Sequence, residues 1–473
     1  MVGKTTLRDV KSHTFILPFV AILVVAAGRL QADELPPNWT VYGGDAQHNS
    51  DFTISQGQAA DALNKGVSWR FAEAGALPLD LADGKDAEIL GPRAAPVKTT
   101  QFLGNAVGVT VADNTVFAES DAGYVYAIDA VTGKERWHAV VDNAAMGDPL
   151  VVEGSVFAGS GDSGFSYSQA IKALSGDKSS PVRGLSWAAI YAFDARTGKQ
   201  LWRLGTVGEN MPSQCYSEGT LFFANGDGHV YAVDPATGKP RWITAIGGFD
   251  SMSSCLVVDG KIVAGFTDPN NLVAVDARTG SIAWRASFSN VANTGMGDNS
   301  PTFEPKSNAI IQVAVTDEAN DQSESTIDLA VFAVDPASGK LRWQTRLGRG
   351  PTPPAYKASV AMTHDGIIYV SNPAANKLYA LDGSNGAIQW QSAIPHASPG
   401  GMGRGAVTYH AGVIYQATGA YLYAWDARTG KPLHELWLGG RFGIVNPVIV
   451  GGTIFLANSW GWIMAVPLSE MRD

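Results

Sequence analysis

Short stretches of alternating apolar and polar residues recur along the chain in one fixed frame. The frame is an aromatic or aliphatic residue, Ala, any residue, Asp, three residues, Gly, three residues and Trp, and residues 126–137 are its first copy. Alternation of this kind predicts two half-buried strands in every copy. The copies are residues 126–137, 191–202, 231–242, 273–284, 332–343, 379–390 and 423–434, and the last carries His434 where the others carry Trp.

The Asp and the Gly of each copy predict a tight turn between the two strands. An Asp side chain accepts hydrogen bonds from nearby backbone N–H groups, and Gly adopts the positive φ that other residues avoid. The Trp brings more apolar surface than one hairpin can bury, so we expect it to pack against a neighbouring hairpin. The repeated aspartates are therefore predicted to cap turns: Asp129, Asp194, Asp234, Asp276, Asp335, Asp382 and Asp426.

The spacing of the copies predicts a propeller. Their starts lie 40 to 65 residues apart, near the length of a four-stranded propeller blade. Residues 462–467 resemble the first half of another hairpin, and residues 66–71, with Trp69, resemble its missing second half. We therefore predict an all-β fold, an eight-bladed β-propeller of four-stranded blades over residues 66–473, whose last blade is closed by the N-terminal strand.

The N-terminal residues 1–32 have the pattern of a secretory signal peptide. Lys4, Arg8 and Lys11 precede an apolar run, and Leu30-Gln-Ala32 suits cleavage. The apolar run is short for a membrane span, so we expect an exported protein, in a periplasm or an equivalent compartment, without stable membrane insertion after cleavage. An uncleaved N-terminal anchor is the alternative. Residues 33–65 form an N-terminal segment ahead of the propeller.

Charge and cysteine content narrow the choice of partners. The formal net charge is −10, and no basic run interleaved with aromatic residues is present, which argues against nucleic acid. Charged residues make up 16% of the chain, a low fraction that is compatible with an acidic environment. Cys215 and Cys255 stand one repeat apart, without the spacing of a zinc or haem site. A disulfide is allowed in an exported protein, although we favour two buried free thiols.

The ligand site of such a propeller is expected in the loops opposite the Asp–Gly turns. The loops between blades are Gly-rich there, and two loops within blades, 159–188 and 316–327, are long enough to wall a pocket over the axis. Asp298 lies just before the inner strand of one blade and is our candidate general acid or base. Its alternative role is to cap a turn. Asp148 has a similar setting and is the second candidate.

Cations from the same loops predict an anion site. Several of them converging on the axis would bind an anion through charge-assisted hydrogen bonds, whereas separate solvated cations are the alternative. Asn299 and Asn446 are placed to orient a bound oxygen. The cations are Arg93, Arg349, Lys357, Arg404 and Arg441. We expect a small anionic substrate and no metal site.

The opening motif Trp39-x-x-Tyr-Gly-Gly-Asp45 and the repeat Ala-x-Asp-x-x-Thr-Gly-x-x-x-Trp resemble the quinoprotein (PQQ-like) propeller superfamily over nearly all of the mature chain. That superfamily includes PQQ-dependent dehydrogenases, an outer-membrane assembly scaffold and tetrathionate hydrolases, which use the fold without the quinone. The dehydrogenases carry a Glu beside the calcium and PQQ, where this chain has Gly161-Asp-Ser163, and a disulfide between adjacent cysteines, which this chain lacks. The resemblance is therefore strongest to members without the PQQ site, and it implies no cofactor.

Three functions follow from this resemblance. The first is hydrolysis of tetrathionate, a dianion, with Asp298 as the acid or base. The second is a dehydrogenase that depends on PQQ and calcium, in which Asp162 would replace the missing Glu as a metal ligand. The third is a non-catalytic scaffold of outer-membrane assembly, which the absence of a lipid-anchor Cys disfavours. We expect the first of these, and the oligomeric state stays open.

Overall fold

Eight four-stranded sheets make up the described part of the chain in a computed structural model. The predicted signal peptide and nearly all of residues 33–65 lie outside the described residues, so those two boundaries stay predictions. The described residues are 51–52, 67–74, 76, 108–120, 122–161, 187–250, 252–267, 269, 271–288, 291, 299–321, 324–351, 359–396 and 405–471.

The first half of the ring follows two short N-terminal strands. Those strands are β1 (Asp51–Phe52) and β2 (Trp69–Ala72). Blade 1 consists of β3 (Val109–Ala112), β4 (Thr115–Ser120), β5 (Tyr124–Asp129) and β6 (Glu135–Val140). Blade 2 consists of β7 (Leu150–Val152), β8 (Ser155–Ser160), β9 (Ala188–Asp194) and β10 (Gln200–Thr206). Blade 3 consists of β11 (Cys215–Ser217), β12 (Thr220–Ala224), β13 (His229–Val233) and β14 (Pro240–Ala245). Blade 4 consists of β15 (Leu256–Val258), β16 (Lys261–Phe266), β17 (Asn271–Asp276) and β18 (Ile282–Ala286).

The second half repeats this order and ends in a 3-10 turn. Blade 5 consists of β19 (Thr302–Glu304), β20 (Ala309–Asp321), β21 (Glu324–Val334) and β22 (Leu341–Pro351). Blade 6 consists of β23 (Met362–His364), β24 (Ile367–Asn372), β25 (Lys377–Asp382) and β26 (Ile388–Ala393). Blade 7 contains β27 (Thr408–His410), β28 (Val413–Asp426) and β29 (Pro432–Phe442). Blade 8 contains β30 (Val448–Val450), β31 (Thr453–Asn458) and β32 (Trp462–Pro467), followed by the 3-10 helix Leu468–Met471.

The first strand of each blade lies at or next to the inner edge, because these strands contact their counterparts in neighbouring blades, and in blade 7 β1 lies inside β27. Hydrophobic clusters fill the space between adjacent blades, as where Phe117 and Trp137 of blade 1 pack with Val156 and Tyr191 of blade 2. Each blade therefore buries its apolar surface only against its two neighbours. None of the helices in the described part of the chain combines the length and the apolar character of a membrane span.

The Asp–Gly turns have the predicted geometry. In blade 1 the Thr132 amide and hydroxyl donate to Asp129 Oδ1 at 2.8 and 2.9 Å, and the Gly133 amide donates to the Asp129 carbonyl at 2.9 Å. The equivalent Asp accepts the same kinds of bond in the other turns, with Thr or Ser as donor. The turn-capping role of the seven repeated aspartates is confirmed, and it explains why Asp recurs at this position.

The repeated Trp docks on the Asp–Gly turn of the next blade. Trp137 Nε1 donates to the Ala195 carbonyl at 3.0 Å, and a Cβ on Gly198 would lie 2.6 Å from the Trp137 ring. Gly198 has φ +70°, so both its backbone conformation and the close ring require glycine. The same indole-to-carbonyl bond, 2.8–3.3 Å long, is made by Trp69, Trp137, Trp202, Trp242, Trp284, Trp343 and Trp390.

Blade 7 has no such turn to dock on, which explains His434. The third strand of blade 8, β32, does not turn back into a fourth strand but continues into the 3-10 helix. That helix contacts β29, the outer strand of blade 7. A Trp at position 434 would therefore lack the glycine turn that receives the indole in the other blades.

The two ends of the chain close the ring as predicted. Strand β2 pairs antiparallel with β32, with Trp69 opposite Ala465 and Ala72 opposite Trp462. Trp69 then occupies the repeated Trp position of blade 8 and docks on the blade 1 turn at Gly133. The segment before the propeller adds one more strand, since β1 pairs in parallel with β27.

Two expectations from the sequence are corrected by the structure. Cys215 and Cys255, which we favoured as free thiols, form a disulfide with their Cα atoms 5.8 Å apart. Cys215 begins β11 and Cys255 immediately precedes β15, and these inner strands of adjacent blades are in contact, so the two side chains meet beside the axis. The segment 316–327, expected to be a loop, instead extends the β20–β21 ladder to Asp321 opposite Glu324.

We predict that glycine is required at the docking turn for more than its backbone conformation. Gly198→Ala adds a methyl group against the Trp137 ring, whereas Gly219→Ala has the same φ but no atom within 4 Å of the new methyl. The matched control, Gly219→Ala, should lower the free energy of unfolding by about 1 kcal/mol through backbone strain. Gly198→Ala should cost roughly 1–3 kcal/mol more, from overpacking. Denaturant titration measures both, and equal losses would contradict the docking role.

Candidate functional site

A ring of hydrogen bonds surrounds the axis on the rim that carries the loops between blades. Each acceptor is a side chain two residues before the inner strand of its blade. It accepts a hydrogen bond from a backbone N–H in the loop that leads into the inner strand of the preceding blade. Asp148 Oδ1 accepts from Gly108 at 2.6 Å, and Asn446 Oδ1 accepts from Ala406 at 2.8 Å. The acceptors are Asp148, Ser213, Ser254, Ser300 and Asn446, all buried, and we call them the axial hydrogen-bond ring. These hydrogen bonds join the loops of consecutive blades close to the axis.

An apolar cluster crosses the axis next to this ring. Met146, Met211, Met252 and Ile444 pack together, with Ala144 partly buried against them. Each of the four lies four residues before the inner strand of its blade, in blades 2, 3, 4 and 8 respectively. Blades 4 and 8 stand opposite each other in an eight-membered ring, so these side chains can meet only at the axis. We call this group the axial methionine cluster.

Two carboxyl groups are buried between blades 1 and 2 beside the ring. The Glu119 carboxylate oxygens accept the Gly147 N–H at 2.8 Å and the Gly159 N–H at 3.3 Å. The pKa of Glu119 is raised to about 8. Burial is the main cause and the nearby Asp148 carboxyl adds to it, whereas the two N–H donors lower the pKa. Burial likewise raises the pKa of Asp148 to about 7, against the Gly108 N–H. Both carboxyls are therefore held largely neutral in acid.

Glu119 is a site residue that sequence reasoning missed, although the repeats contain a signal for it. It is the fifth residue of β4, and the equivalent positions in the other second strands carry uncharged residues, which are small in all but one blade. At Gly159 there is no room for more, because a Cβ there would lie 2.2 Å from the Asn210 carbonyl oxygen. The equivalent residues are Gly159, Ala224, Gly265, Val313, Ser371, Ala417 and Ala457. A carboxyl at a position where the other seven blades carry uncharged residues, six of them small, marks a specialised place in the ring.

Most of the charged residues predicted for the site lie outside the described residues. Asp298, the candidate acid or base, is among them, and so is Asp162. Of the predicted cations, Arg349 lies exposed on β22, opposite Asp328 across the ladder. The cations outside the described part, or with a side chain outside it, are Arg93, Lys357, Arg404 and Arg441. Convergence of these cations stays a prediction.

The two predicted asparagines are buried and use their side chains to hold loops. Asn299 Nδ2 donates to the Val313 carbonyl at 3.0 Å, and the backbone carbonyl of Asn299 accepts a hydrogen bond from Gln312 Nε2 at 3.1 Å. Asn446 belongs to the axial hydrogen-bond ring, as does Asp148, the second candidate acid. These contacts position the loops, and binding of substrate by Asn299 and Asn446 stays a prediction. Across the described ranges, no group of three or more His, Cys, Asp or Glu side chains is arranged to hold a metal ion.

Comparison with known proteins identifies relatives along nearly the whole chain. A family model described as "Outer membrane protein assembly factor BamB" matches residues 58–179, 186–352 and 374–470. The tetrathionate hydrolase of Acidithiobacillus ferrooxidans is 36% identical over 92% of this chain and 87% of its own. The tetrathionate hydrolase of Acidianus ambivalens is 33% identical over 92% of this chain and 85% of its own.

Solved structures support the fold. The quinohemoprotein alcohol dehydrogenase from Comamonas testosteroni superposes with a TM-score of 0.59 over 91% of this chain and 80% of its own, at 14% identity. An identity this low shows a shared propeller fold and nothing further. The family model and the two tetrathionate hydrolases confirm the predicted resemblance to PQQ-like propellers and, within them, to tetrathionate hydrolases.

We predict that Glu119 makes the protein more stable in acid than at neutral pH. Below a pH of about 4.5 the carboxyl is protonated in both the folded and the unfolded chain. Between that pH and about 8 the unfolded chain releases the proton and the folded chain keeps it, so the free energy of unfolding falls as the pH rises. The contribution of Glu119 to this fall is at most about 4 kcal/mol.

Unfolding by denaturant at several pH values between 4 and 8 tests this. Glu119→Gln should flatten the decline, because glutamine is neutral at every pH. The control is Glu218→Gln, an exposed carboxyl on the β11–β12 turn, which should keep the slope of the parent protein. A Glu119→Gln variant with the slope of the parent would show that Glu119 does not hold its proton on folding.

Proposed function

This chain belongs to the family of PQQ-like β-propellers that contains the tetrathionate hydrolases, and we propose that it is itself an exported hydrolase that cleaves tetrathionate. The observation that carries the proposal is identity of 36% and 33% to two tetrathionate hydrolases over 92% of the chain. These two alignments span 439 and 464 residues, whereas the scaffold and dehydrogenase structures share the fold at 14% identity. Enzymatic function is accordingly preferred to a scaffold role.

The register of the repeats supports Asp298 as the catalytic acid or base. It precedes β19 by four residues, as Met252 precedes β15 and Ile444 precedes β30. In four other blades the residue at this position reaches the axis and joins the axial methionine cluster. The position of the repeat that meets the axis is thus occupied in blade 5 by a carboxyl. An Asp that only capped a turn would have no reason to stand at the same distance from the inner strand as these axial residues.

A carboxyl at that position suits the chemistry. Hydrolysis breaks one S–S bond, and the bonding electrons leave with one sulfur, which takes a proton. The oxygen of water bonds to the other sulfur and gives up a proton, so the reaction needs no external oxidant or reductant. Asp298 can protonate the leaving sulfur or accept the proton of water. Electrostatic stabilisation of the charge that develops on the leaving group is usually the largest contribution to the rate enhancement.

The cations of the rim loops would bind the charged ends of the substrate. Tetrathionate carries one sulfonate at each end, so two separated positive sites match it. Arg404 shares the register of Asp298, since it precedes β27 by four residues. We propose that it binds one sulfonate, and that the remaining binding residues are Arg93, Arg349, Lys357, Arg441, Asn299 and Asn446.

We propose that catalysis requires neither PQQ nor calcium. The quinone of related dehydrogenases rests on a disulfide between adjacent cysteines, and here the two cysteines join blade 3 to blade 4 instead. The stretch Gly161-Asp-Ser163 also lacks the calcium-binding Glu. Export to a periplasm or an equivalent compartment follows from the segment 1–32 and suits a substrate that is an extracellular ion.

We predict that Asp298→Asn abolishes tetrathionate consumption and leaves the fold intact. Removing an essential acid or base from such a site should lower kcat by roughly a hundredfold or more. Purified mature protein would be assayed for tetrathionate loss from about pH 2 to 7, with thermal unfolding to verify folding. The control, Asp259→Asn, replaces an exposed Asp on the β15–β16 turn at φ 48°, where Asn is well tolerated, and should keep full activity.

The same preparation separates the competing functions. Expression with PQQ and calcium available, followed by an absorption spectrum and metal analysis, would reveal a bound quinone. A quinone with dye reduction by alcohols would overturn the hydrolase proposal and turn attention to Asp162. A folded, colourless protein that leaves tetrathionate intact at every pH would also overturn it.

A further inference from the structure

Five methionines of this chain fall in the sequence between one blade and the next. The sequence has 9 of them, and Met146, Met211, Met252, Met296 and Met402 lie in loops between blades. By contrast, Met362 and Met464 are fully buried in the cores between blades. Met fills irregular space adaptably, and its sulfur is polarisable, so a cluster of thioethers in loops suggests a binding surface more than a packing need.

The axial methionine cluster lies on the loop side of the axial hydrogen-bond ring. Its members precede their inner strands by four residues, whereas the ring residues precede theirs by two, so the cluster lies farther toward the rim. Among the described residues, Met146, Met211, Met252 and Ile444 form a cluster of their own with Ala144, apart from the cores of the blades. Each keeps 6–9% of its surface exposed, whereas the first residue of the inner strand that follows it is 0–3% exposed. We take the cluster as the floor of the funnel expected on this rim.

We propose that this floor binds the divalent sulfur atoms in the middle of a polythionate. The proposal rests on the proposed function and adds which part of the substrate meets which residues. A polythionate has sulfonates at its ends and a chain of divalent sulfurs between them. Those middle atoms carry little charge and bind hydrogen-bond donors weakly, so cations cannot select for them. Thioether sulfur contacts them through dispersion, which grows with polarisability.

Separate binding of the sulfonates and of the divalent sulfurs predicts how activity depends on the number of sulfur atoms in the polythionate. The cations fix the sulfonates, and the methionines of the neighbouring blades 2, 3 and 4 form one apolar cluster with Ile444 of blade 8. Each further divalent sulfur in the substrate adds contact with that surface. A substrate with a single divalent sulfur gains least from it.

The test uses Met→Leu variants, which keep volume and remove the sulfur. Met146→Leu, Met211→Leu and Met252→Leu should lower kcat/KM for tetrathionate and pentathionate by roughly two- to tenfold, the size of a thioether contact. The effect on trithionate should be smaller, and the double variant Met146→Leu/Met252→Leu should show a larger effect than either single one. The control, Met464→Leu, changes a fully buried methionine of blade 8 and should leave the ratios between the three substrates unchanged.

A second measurement needs no turnover. Brief exposure to peroxide followed by mass spectrometry reports oxidation of each methionine. In the Asp298→Asn variant, tetrathionate should slow sulfoxide formation at Met146, Met211 and Met252 several-fold, and sulfate at equal concentration should not. Equal protection by sulfate, or none by either ion, would overturn the proposed contact.

The outcomes separate this proposal from the proposed function. A parent enzyme that hydrolyses tetrathionate while the Leu variants keep every substrate ratio would overturn the methionine contact and leave the hydrolase standing. Protection of the methionines in a protein that hydrolyses no polythionate would support the contact and overturn the hydrolase. Loss of folding in the variants, seen by thermal unfolding, would leave the oxidation experiment to decide.

Discussion

One contact between blades sets the geometry of this molecule, the docking of a Trp on the next blade's glycine turn. The indole N–H reaches the carbonyl after the capping Asp, and the ring lies where a glycine Cβ would be, as Trp137 does at Gly198. A polar bond and a steric requirement thus act on the same two elements, so the angle between neighbouring blades can vary little. At the one junction that lacks the turn, the 3-10 helix after β32 contacts β29 instead. The ring of eight blades closes because Trp docking fixes seven junctions and the contact between the 3-10 helix and β29 holds the eighth.

Fixed blades bring the loops between them to the axis in a constant register. Two residues before each inner strand, polar side chains such as Asp148 and Asn446 tie neighbouring loops together. Four residues before it, the side chains meet across the axis, as Met146 and Ile444 do. The scaffold therefore supplies equivalent axial positions whose chemistry is free to differ between blades. In the sequence, the residue four positions before the inner strand is Asp298 in blade 5 and Arg404 in blade 7, and these two residues are opposite in charge.

Almost all of the fold could be predicted from the sequence repeat, because the features that shape each blade depend on residues close together in the chain. Capping by Asp129 and the positive φ of Gly133 depend on four neighbouring residues, and the closing strand with Trp69 shows the same frame. The disulfide was not predictable in the same way, because its formation depends on how closely two inner strands approach. The extended ladder of β20 and β21 was missed because its residues up to Asp321 and Glu324 are polar, and polarity without alternation indicates a loop. For the site, sequence position identified rim loops, but only packing revealed that Glu119 is buried.

In acid the protein carries less negative charge, which would favour the anionic substrate proposed above. A net charge of −10 would repel a dianion at neutral pH, yet surface carboxylates lose that charge as the pH falls below their ordinary pKa. The buried pair follows the same direction, since the pKa values of Glu119 and Asp148 lie at about 8 and about 7. Both groups thus stay neutral throughout the acid range and add no negative charge beside the axis. Protonation of Glu119 and Asp148 favours the folded chain as the pH falls, until the turn-capping aspartates, whose pKa values lie below the usual range, also take up protons.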